Sequence, residues 1–292
     1  MMGGNHAACG AAAWIAATTR FEIPLASLAA NVQVLPDGFA GSLPDSVALG
    51  FGLLETTPAG VLAGALVCAG AALLPDADHR SATIAQALPP VSNALCAGLG
   101  RSMGGHRKGT HSLFGLVAAV VLAAMVGLVT VETARFGTVY PGAGIATVLL
   151  AAFAAKALRF IPDTMRRFPW AVGLAAGAFV ALNAPEDPRW FAIAVGLGAA
   201  VHVAGDLITT GGVALTWPLR VRRPRPLGRV PLLRQIWRPN GNIAVPLIGN
   251  AGSVREWVLS VPIAGYALAG LCVAGAQAVR GGGATLRAVL GV

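Results

Sequence analysis

The chain has 292 residues, of which 55% are hydrophobic and only 11% are charged, and its mean hydropathy is +0.70. A typical soluble domain carries roughly 25% charged residues, so this composition argues against an ordinary soluble protein and for a membrane protein. The net charge of +9 comes mostly from arginine. Because the arginines cluster in connecting loops, the charge favours a basic membrane face over a nucleic-acid partner.

Seven apolar segments predict an all-α, multi-span integral membrane helical bundle of about five to seven helices, with no β-sheet core. The segments are 7–19, 57–74, 112–131, 139–158, 170–183, 190–208 and 257–278. A spanning helix needs about 20 apolar residues, and 112–131 and 257–278 meet that length. We expect residues 1–292 to form a single membrane-embedded domain that ends in a basic loop and a C-terminal helix, 221–292.

Alternate connections between these segments differ in charge, and the difference predicts their orientation. The loops rich in basic residues are 75–111, 159–169 and 219–239. Because cytoplasmic loops of membrane proteins carry an excess of Lys and Arg, we place these loops in the cytoplasm, where they are expected to contact anionic lipid headgroups. No Lys or Arg precedes Arg20, so a signal peptide is not expected and the N-terminus is kept in the mature protein.

All five histidines lie in four short polar clusters at the edges of apolar segments, where polar side chains are expensive to place. The clusters are Asn5-His6, Asp76-Ala77-Asp78-His79, His106-Arg107-Lys108-Gly109-Thr110-His111-Ser112 and His202-Val203-Ala204-Gly205-Asp206. Imidazoles and carboxylates are the side chains that bind catalytic transition metals. The predicted topology puts all of them at the cytoplasmic face. Together they indicate a pair of metals, or one metal with acid–base groups.

The spacing within two of these clusters fits a metal site and also fits a structural alternative. His202 and Asp206 are four residues apart and share a helix face, as two ligands or as a polar pair inside a bundle. Asp76 and Asp78 follow Pro75, which is expected to stop the preceding helix. Their carboxylates suit a divalent metal, but they also suit a solvated helix end.

The cluster that contains His106 and His111 is predicted to be a bent loop. These histidines are five residues apart, too far round a regular helix to share a face, and glycines surround them. Between them, Arg107 and Lys108 are suited to hold an anionic oxygen or to contact lipid headgroups. Thr110 is expected to cap the helix that follows.

These motifs resemble the inner-membrane-associated, metal-dependent hydrolase family that includes YdjM. The resemblance rests on Leu74-Pro75-Asp76-Ala77-Asp78-His79, on Gly105-His106-Arg107-Lys108-Gly109-Thr110-His111-Ser112, and on His202-x-x-x-Asp206 followed by Thr209 and Gly212-Val213-x-Leu215-x-Trp217-Pro218. It covers residues 1–220, where Asn5-His6 loosely matches a Gly-His pair of the family pattern. It implies a multi-span membrane protein with metal-dependent hydrolytic activity, and some members are described as LexA-binding hydrolases.

We therefore expect metal-assisted hydrolysis at the cytoplasmic face of the inner membrane, on a phosphoester or lipid-linked substrate. The expected cofactor is a divalent metal ion, with zinc preferred over manganese, iron or magnesium. The expected metal ligands are His6, Asp78, His79, His111, His202 and Asp206. Asp76 is expected to be a ligand or the general base, His106 a proton donor or ligand, and Arg107 the group that holds an anionic part of the substrate.

Two non-enzymatic functions stay open beside hydrolysis: a metal transporter, and a regulatory scaffold that binds a cytosolic partner protein. A transporter carries its ligands near the bilayer midplane, whereas the polar clusters of this chain lie at segment ends. A scaffold would not need this set of aspartates and histidines. Metal content and turnover distinguish the three functions.

Overall fold

Helices make up most of the structure, a computed structural model that describes residues 1–23, 44–79, 82–160, 168–219 and 221–290. The helices are α1 (Gly3–Thr18), α2 (Pro58–Ala71), α3 (Val91–Ser102), α4 (Leu113–Gly127), α5 (Pro141–Ala157), α6 (Phe168–Leu182), α7 (Trp190–Leu207), α8 (Pro231–Ile236) and α9 (Val254–Leu290). Short 3-10 turns lie at Pro75–Asp78, Thr83–Gln86, Gly109–His111 and Arg225–Arg229. Each of the seven predicted apolar segments is helical, so the all-α prediction is confirmed.

The described strands form two small antiparallel pairs near the ends of helices. Strand β1 (Phe21–Ile23) pairs with β2 (Val47–Leu49), and β3 (Val131–Thr133) pairs with β4 (Gly137–Val139) to form a short hairpin. The β3–β4 hairpin shortens one predicted span. Segment 112–131 is expected to be long enough to cross a bilayer, but α4 ends at Gly127 because the chain that follows enters β3. The prediction that segment 112–131 forms a helix of full spanning length is therefore wrong.

Helices α1, α2 and α7 pack against one another at the centre of the bundle. Around them, α4 lies against α7, α5 lies against α2 and α6, and α9 lies against α1 and α2. The largest fully buried side chains include Trp14, Phe153 and Trp190. This packing brings the beginning of α1, the turn after α2 and the end of α7 together, and those are the places where the polar clusters lie.

Three described helical stretches are long and apolar enough to cross a membrane. They are Pro58–Asp78, Trp190–Leu207 and Val254–Gly281, and α4, α5 and α6 are shorter apolar helices. The outer face of α4 carries exposed apolar side chains, among them Val117 at 61% and Leu122 at 59%. A contiguous exposed apolar surface of this kind marks a membrane or partner interface.

Local sequence signals explain where the helices beside the polar clusters begin and end. Helix α2 ends at Ala71, and Pro75 opens the 3-10 turn that carries the acidic cluster, in agreement with the expected helix stop. Helix α4 is capped by Ser112, whose Oγ accepts a hydrogen bond from the N–H of Gly115 at 3.1 Å. The predicted cap at Thr110 is wrong, because that hydroxyl is used in the site instead.

The basic segment expected as a loop contains regular structure. It holds the 3-10 turn Arg225–Arg229 and α8, and Arg238 donates from Nη2 to the carbonyl oxygen of Thr210 at 2.9 Å. Four of the arginines behind the predicted orientation lie outside the described residues: Arg80, Arg166, Arg167 and Arg220. The cytoplasmic orientation of these loops stays a prediction.

Candidate metal centre

The structure brings all five histidines of the chain into one continuous cluster. The rings of His6 and His202 are stacked with their centroids 3.7 Å apart. From His202 the cluster continues to His111 at 5.0 Å, then to His106 at 5.4 Å and to His79 at 4.9 Å. Residues from α1, the turn after α2, the loop before α4 and the end of α7 thus meet at one place, as expected if all five histidines share a membrane face.

Two histidines and two aspartates direct donor atoms toward a common point, and each printed imidazole–imidazole and imidazole–carboxylate distance is 3.9 Å or less. The Nε2 atoms of His111 and His202 are 3.1 Å apart, and Asp76 Oδ1 lies 3.7 Å from each of them. Asp206 Oδ2 lies 3.6 Å from His111 Nε2 and 3.9 Å from His202 Nε2. In a tetrahedral zinc site, ligand atoms about 2.0–2.1 Å from the metal are about 3.3 Å from one another. The donor set therefore fits a divalent metal.

Hydrogen bonds orient both of these imidazoles with Nε2 toward the common point. His202 Nδ1 lies 2.6 Å from the carbonyl oxygen of Ala72, and a carbonyl can only accept, so Nδ1 carries the proton and Nε2 keeps its lone pair. His111 Nδ1 lies 3.1 Å from Thr110 Oγ and 3.4 Å from Asp78 Oδ2. This arrangement is typical of histidines that bind metal ions, whose other ring nitrogen is held by an outer partner.

Asp78 anchors the loop that carries His111. Its buried carboxylate lies 2.8 Å from His106 Nδ1 and accepts hydrogen bonds from the backbone N–H of Arg107 at 3.1 Å and from the hydroxyl of Thr110 at 2.6 Å. These contacts use both carboxylate oxygens. Asp78 is therefore placed to orient the loop and His111, whereas Asp76, two residues earlier, is the aspartate that faces the common point.

Two groups of three described side chains have the spacing of metal ligands, with one donor atom of each residue within 4.8 Å of the other two. The groups are His6, His202 and Asp206, and Asp76, His106 and His111. Two predicted ligands, Asp78 and His79, belong to neither group. The 3-10 turn ends at Asp78, and His79 continues in an extended conformation with an exposed side chain.

His6 is buried against the site without a hydrogen bond to either ring nitrogen among the described residues. Its Nε2 lies 3.4 Å from Asp206 Oδ1, which is an electrostatic contact at the limit of hydrogen-bond distance. The His6 ring packs closely against α7 because residue 205 is glycine: a Cβ at Gly205 would lie only 3.1 Å from His6 Cε1. A buried imidazole that lacks a hydrogen bond is costly, and this one supports a site built to receive a ligand or metal.

Arg107 connects the two aspartates that lie on either side of the centre. Its backbone N–H donates to Asp78, and its Nε lies 3.2 Å from Asp206 Oδ2. The residue adopts a left-handed conformation with φ of +60°, which costs a non-glycine residue roughly 1–2 kcal/mol. Such strain is kept where surrounding contacts enforce it, and it clusters at functional sites.

The site is electrostatically suited to hold positive charge. Burial acts to lower the pKa of His111, but the nearby carboxylates of Asp76 and Asp78 outweigh burial and raise this pKa to about 9. The raised pKa means that the surrounding carboxylates stabilise a cation at this point. A divalent metal ion would meet the same carboxylates.

Asp76 and His106 form an exposed edge of the centre. The side chains of His111, His202 and Asp206 are at most 2% exposed, whereas that of Asp76 is 26% exposed and that of His106 is 39% exposed. Solvent can therefore reach the donor set past Asp76 and His106.

Glu256 is a buried site-supporting residue that sequence reasoning missed. Its carboxylate accepts hydrogen bonds from the backbone N–H of Met2 at 2.7 Å, from Asn5 Nδ2 at 2.6 Å and from the N–H of Gly252 at 2.8 Å. These bonds fix the start of α9 to the start of α1, next to His6. The available signal was a lone acidic residue in the first turn of an otherwise apolar helix.

We expect Glu256→Ala to lower the thermal stability of the protein, because it leaves three donors near the site without their acceptor. Each unsatisfied buried donor costs about 1–3 kcal/mol. The matched control is Glu132→Ala, which removes an exposed carboxylate that accepts a hydrogen bond from the hydroxyl of Thr138 within the β3–β4 hairpin. Thermal unfolding in detergent measures both variants, and equal melting temperatures would contradict the role assigned to Glu256.

Comparison with known proteins identifies the family of the chain. No curated protein and no solved structure matches it. The sequence model of the YdjM inner membrane protein family matches residues 1–280, which include every residue of the candidate centre and extend past the predicted limit of the motifs at residue 220. The chain therefore belongs to the YdjM inner membrane protein family.

Proposed function

We propose that this chain is a membrane-bound, metal-dependent hydrolase whose site faces the cytoplasm. The observation that carries the proposal is the set of donor atoms on Asp76, His111, His202 and Asp206, which fit one divalent metal ion. Bound there with one coordination position left for water, a divalent metal would act as a Lewis acid and would lower the pKa of that water. Zinc is preferred, because two imidazoles and two carboxylates suit it.

The residues around the donor set have distinct proposed roles. Asp78 orients His111 and anchors the loop before α4. His106, which contacts Asp78 through Nδ1 and is partly exposed, is the candidate for proton transfer to the leaving group. Arg107 points its guanidinium toward the centre and is placed to hold an anionic oxygen of the substrate.

A phosphoester is the substrate class that the charges favour. A polar cavity of about 380 Å³ lies beside the centre, and its walls include the cationic side chains of Arg107, Lys108 and Arg222 together with His106. Three cationic side chains around one cavity favour an anionic ligand, and the guanidinium groups can bind phosphate through paired hydrogen bonds. Because the protein lies in a membrane, such a substrate can also be linked to a lipid.

Elemental analysis of the detergent-purified protein, followed by a hydrolysis panel, tests the proposal. We expect about one zinc or similar divalent ion per chain, and turnover of a phosphoester that chelation abolishes and metal restores. Protein without stoichiometric metal would refute the centre. Protein that holds metal but hydrolyses no phosphoester, carboxylic ester, lipid or peptide would instead favour a metal transporter or a scaffold.

A further inference from the structure

An apolar groove of about 310 Å³ lies between helices of the bundle, and its walls include the sequence neighbours of two proposed metal ligands. Its walls come from α3, α4, α5 and α7, and they include Leu99, Leu149 and Ala199. The groove is open on one side, where Leu122 of α4 is 59% exposed. That opening lies on the same exposed apolar surface of α4 described above.

The groove and the cationic cavity share a wall, which is the loop between α3 and α4. The two ends of this loop, Met103 and Thr110, line the groove. Its middle, His106, Arg107 and Lys108, lines the polar cavity. One short loop thus separates an apolar chamber from a cationic one.

The candidate metal centre lies next to residues that line both chambers. Pro75 and Thr110 line the groove, and they are the sequence neighbours of Asp76 and His111. Thr110 also contacts Asp78, with its hydroxyl 2.6 Å from Asp78 Oδ2. A ligand that occupied both chambers would carry its apolar and anionic parts on either side of the loop that carries His111.

We propose that the groove binds the hydrocarbon chain of an amphiphile whose phosphate headgroup is held by Arg107, Lys108 and Arg222. This inference rests on the proposed function, since it names the substrate class of the same site. The apolar walls match an alkyl or prenyl chain, the cationic walls match a phosphate, and the open side of the groove lets a chain enter laterally from the bilayer.

The headgroup, rather than the chain, supplies most of the selectivity. A chain that leaves the bilayer for an apolar groove exchanges one apolar environment for another, so its transfer yields little free energy. The phosphate exchanges a hydrated interface for cationic side chains beside a low-dielectric wall, where charge-assisted hydrogen bonds are stronger. A neutral analogue with the same chain is therefore expected to bind much more weakly.

Photolabelling in nanodiscs of digalactosyl diacylglycerol, a neutral lipid that carries no phosphate, tests the groove. The probe is dodecyl phosphate with a diazirine near the end of its chain, and mass spectrometry maps the labelled residues. We expect labels on the groove walls of α4 and α5, and at least about tenfold less labelling by the matching dodecanol probe. Unlabelled dodecyl phosphate should compete at lower concentration than inorganic phosphate, because only the former fills both chambers.

Two substitutions on α4 provide a matched pair. Ala118 lines the groove, so Ala118→Trp is expected to reduce labelling at least about tenfold. Val121, on the same helix, is 51% exposed and does not line the groove, so Val121→Trp is expected to label like the wild type. Should Ala118→Trp fail to fold, the smaller Ala118→Leu is measured instead, with an expected partial reduction.

Labelling and turnover separate this inference from the proposed function. Turnover of a water-soluble phosphodiester is followed in parallel on the wild type, and labelling itself requires no turnover. Intact turnover with scattered labelling, or with equal labelling by the phosphate and alcohol probes, overturns the groove inference alone. Specific labelling of the groove without turnover supports the binding site and counts against hydrolysis.

Discussion

Replacing His111 with alanine is expected to strip the protein of its metal, whereas replacing His79 with alanine is not. The two histidines belong to neighbouring polar clusters, and both are expected ligands on sequence grounds alone. In the structure, His111 Nε2 lies 3.1 Å from His202 Nε2 and within 3.7 Å of two carboxylates, while His79 is exposed outside both candidate ligand groups. Loss of an outer partner of a metal ligand costs about 10–100-fold in affinity, so loss of the ligand itself is expected to cost more than about 100-fold.

Elemental analysis of the two purified variants, set beside the wild type, decides this prediction. We expect stoichiometric metal in His79→Ala and background metal in His111→Ala. Because His111 is fully buried, its removal also opens a cavity, and thermal unfolding of each variant is needed to show that the protein remains folded. His111→Gln serves as a second variant that fills most of that cavity. Metal retained in folded His111 variants, or lost in His79→Ala, would refute the assigned donor set.

Asp78 makes a different contribution, and the size of its effect tests the distinction. If Asp78 orients His111 rather than binding the metal, Asp78→Asn should lower metal affinity by about 10–100-fold without abolishing binding. Asp76→Asn removes a proposed ligand and should have the larger effect. Titration of the metal-free variants with zinc in competition with a chelator measures both, and the reverse order would exchange the two assignments.

The helices and the i, i+4 pair could be predicted from sequence because both depend on local pattern. Each apolar segment became a helix, and the spacing of His202 and Asp206 places them on one face, with His202 Nε2 3.9 Å from Asp206 Oδ2. The strong bend between His106 and His111 also followed from the glycines around them. In each of these cases, a few residues that are close in sequence determine the local structure.

The choice between the two aspartates of the acidic cluster could not be made from sequence. Asp76 and Asp78 are chemically identical, and which one faces the centre depends on a loop that brings His106, 28 residues later in the chain, to Asp78. The position of His79 outside both candidate ligand groups has the same origin, because the direction of the chain after the 3-10 turn is set by tertiary packing. The contact of Glu256 with Asn5 spans 251 residues, and the acidic residue in the first turn of α9 does not by itself identify that partner.

Substitutions at Arg107 are expected to separate the cost of backbone strain from the function of the side chain. Arg107→Ala and Arg107→Gly both remove the guanidinium near Asp206, so both should reduce turnover of an anionic substrate by about 100- to 1000-fold. They differ only in the backbone. At φ of +60°, alanine keeps the strain that glycine relieves, so the glycine variant should be more stable than the alanine variant by about 1 kcal/mol.

The paired measurement gives each outcome a separate meaning. Arg189→Ala is the control for loss of an arginine, since Arg189 is 80% exposed and pairs with Asp187 in a loop, and it should change neither turnover nor metal content. Equal stability of the alanine and glycine variants would contradict the strained conformation, whereas full turnover in both would contradict substrate binding by the guanidinium. If both contributions are present, the strained left-handed backbone of Arg107 is what places its guanidinium beside Asp206 and the anionic substrate.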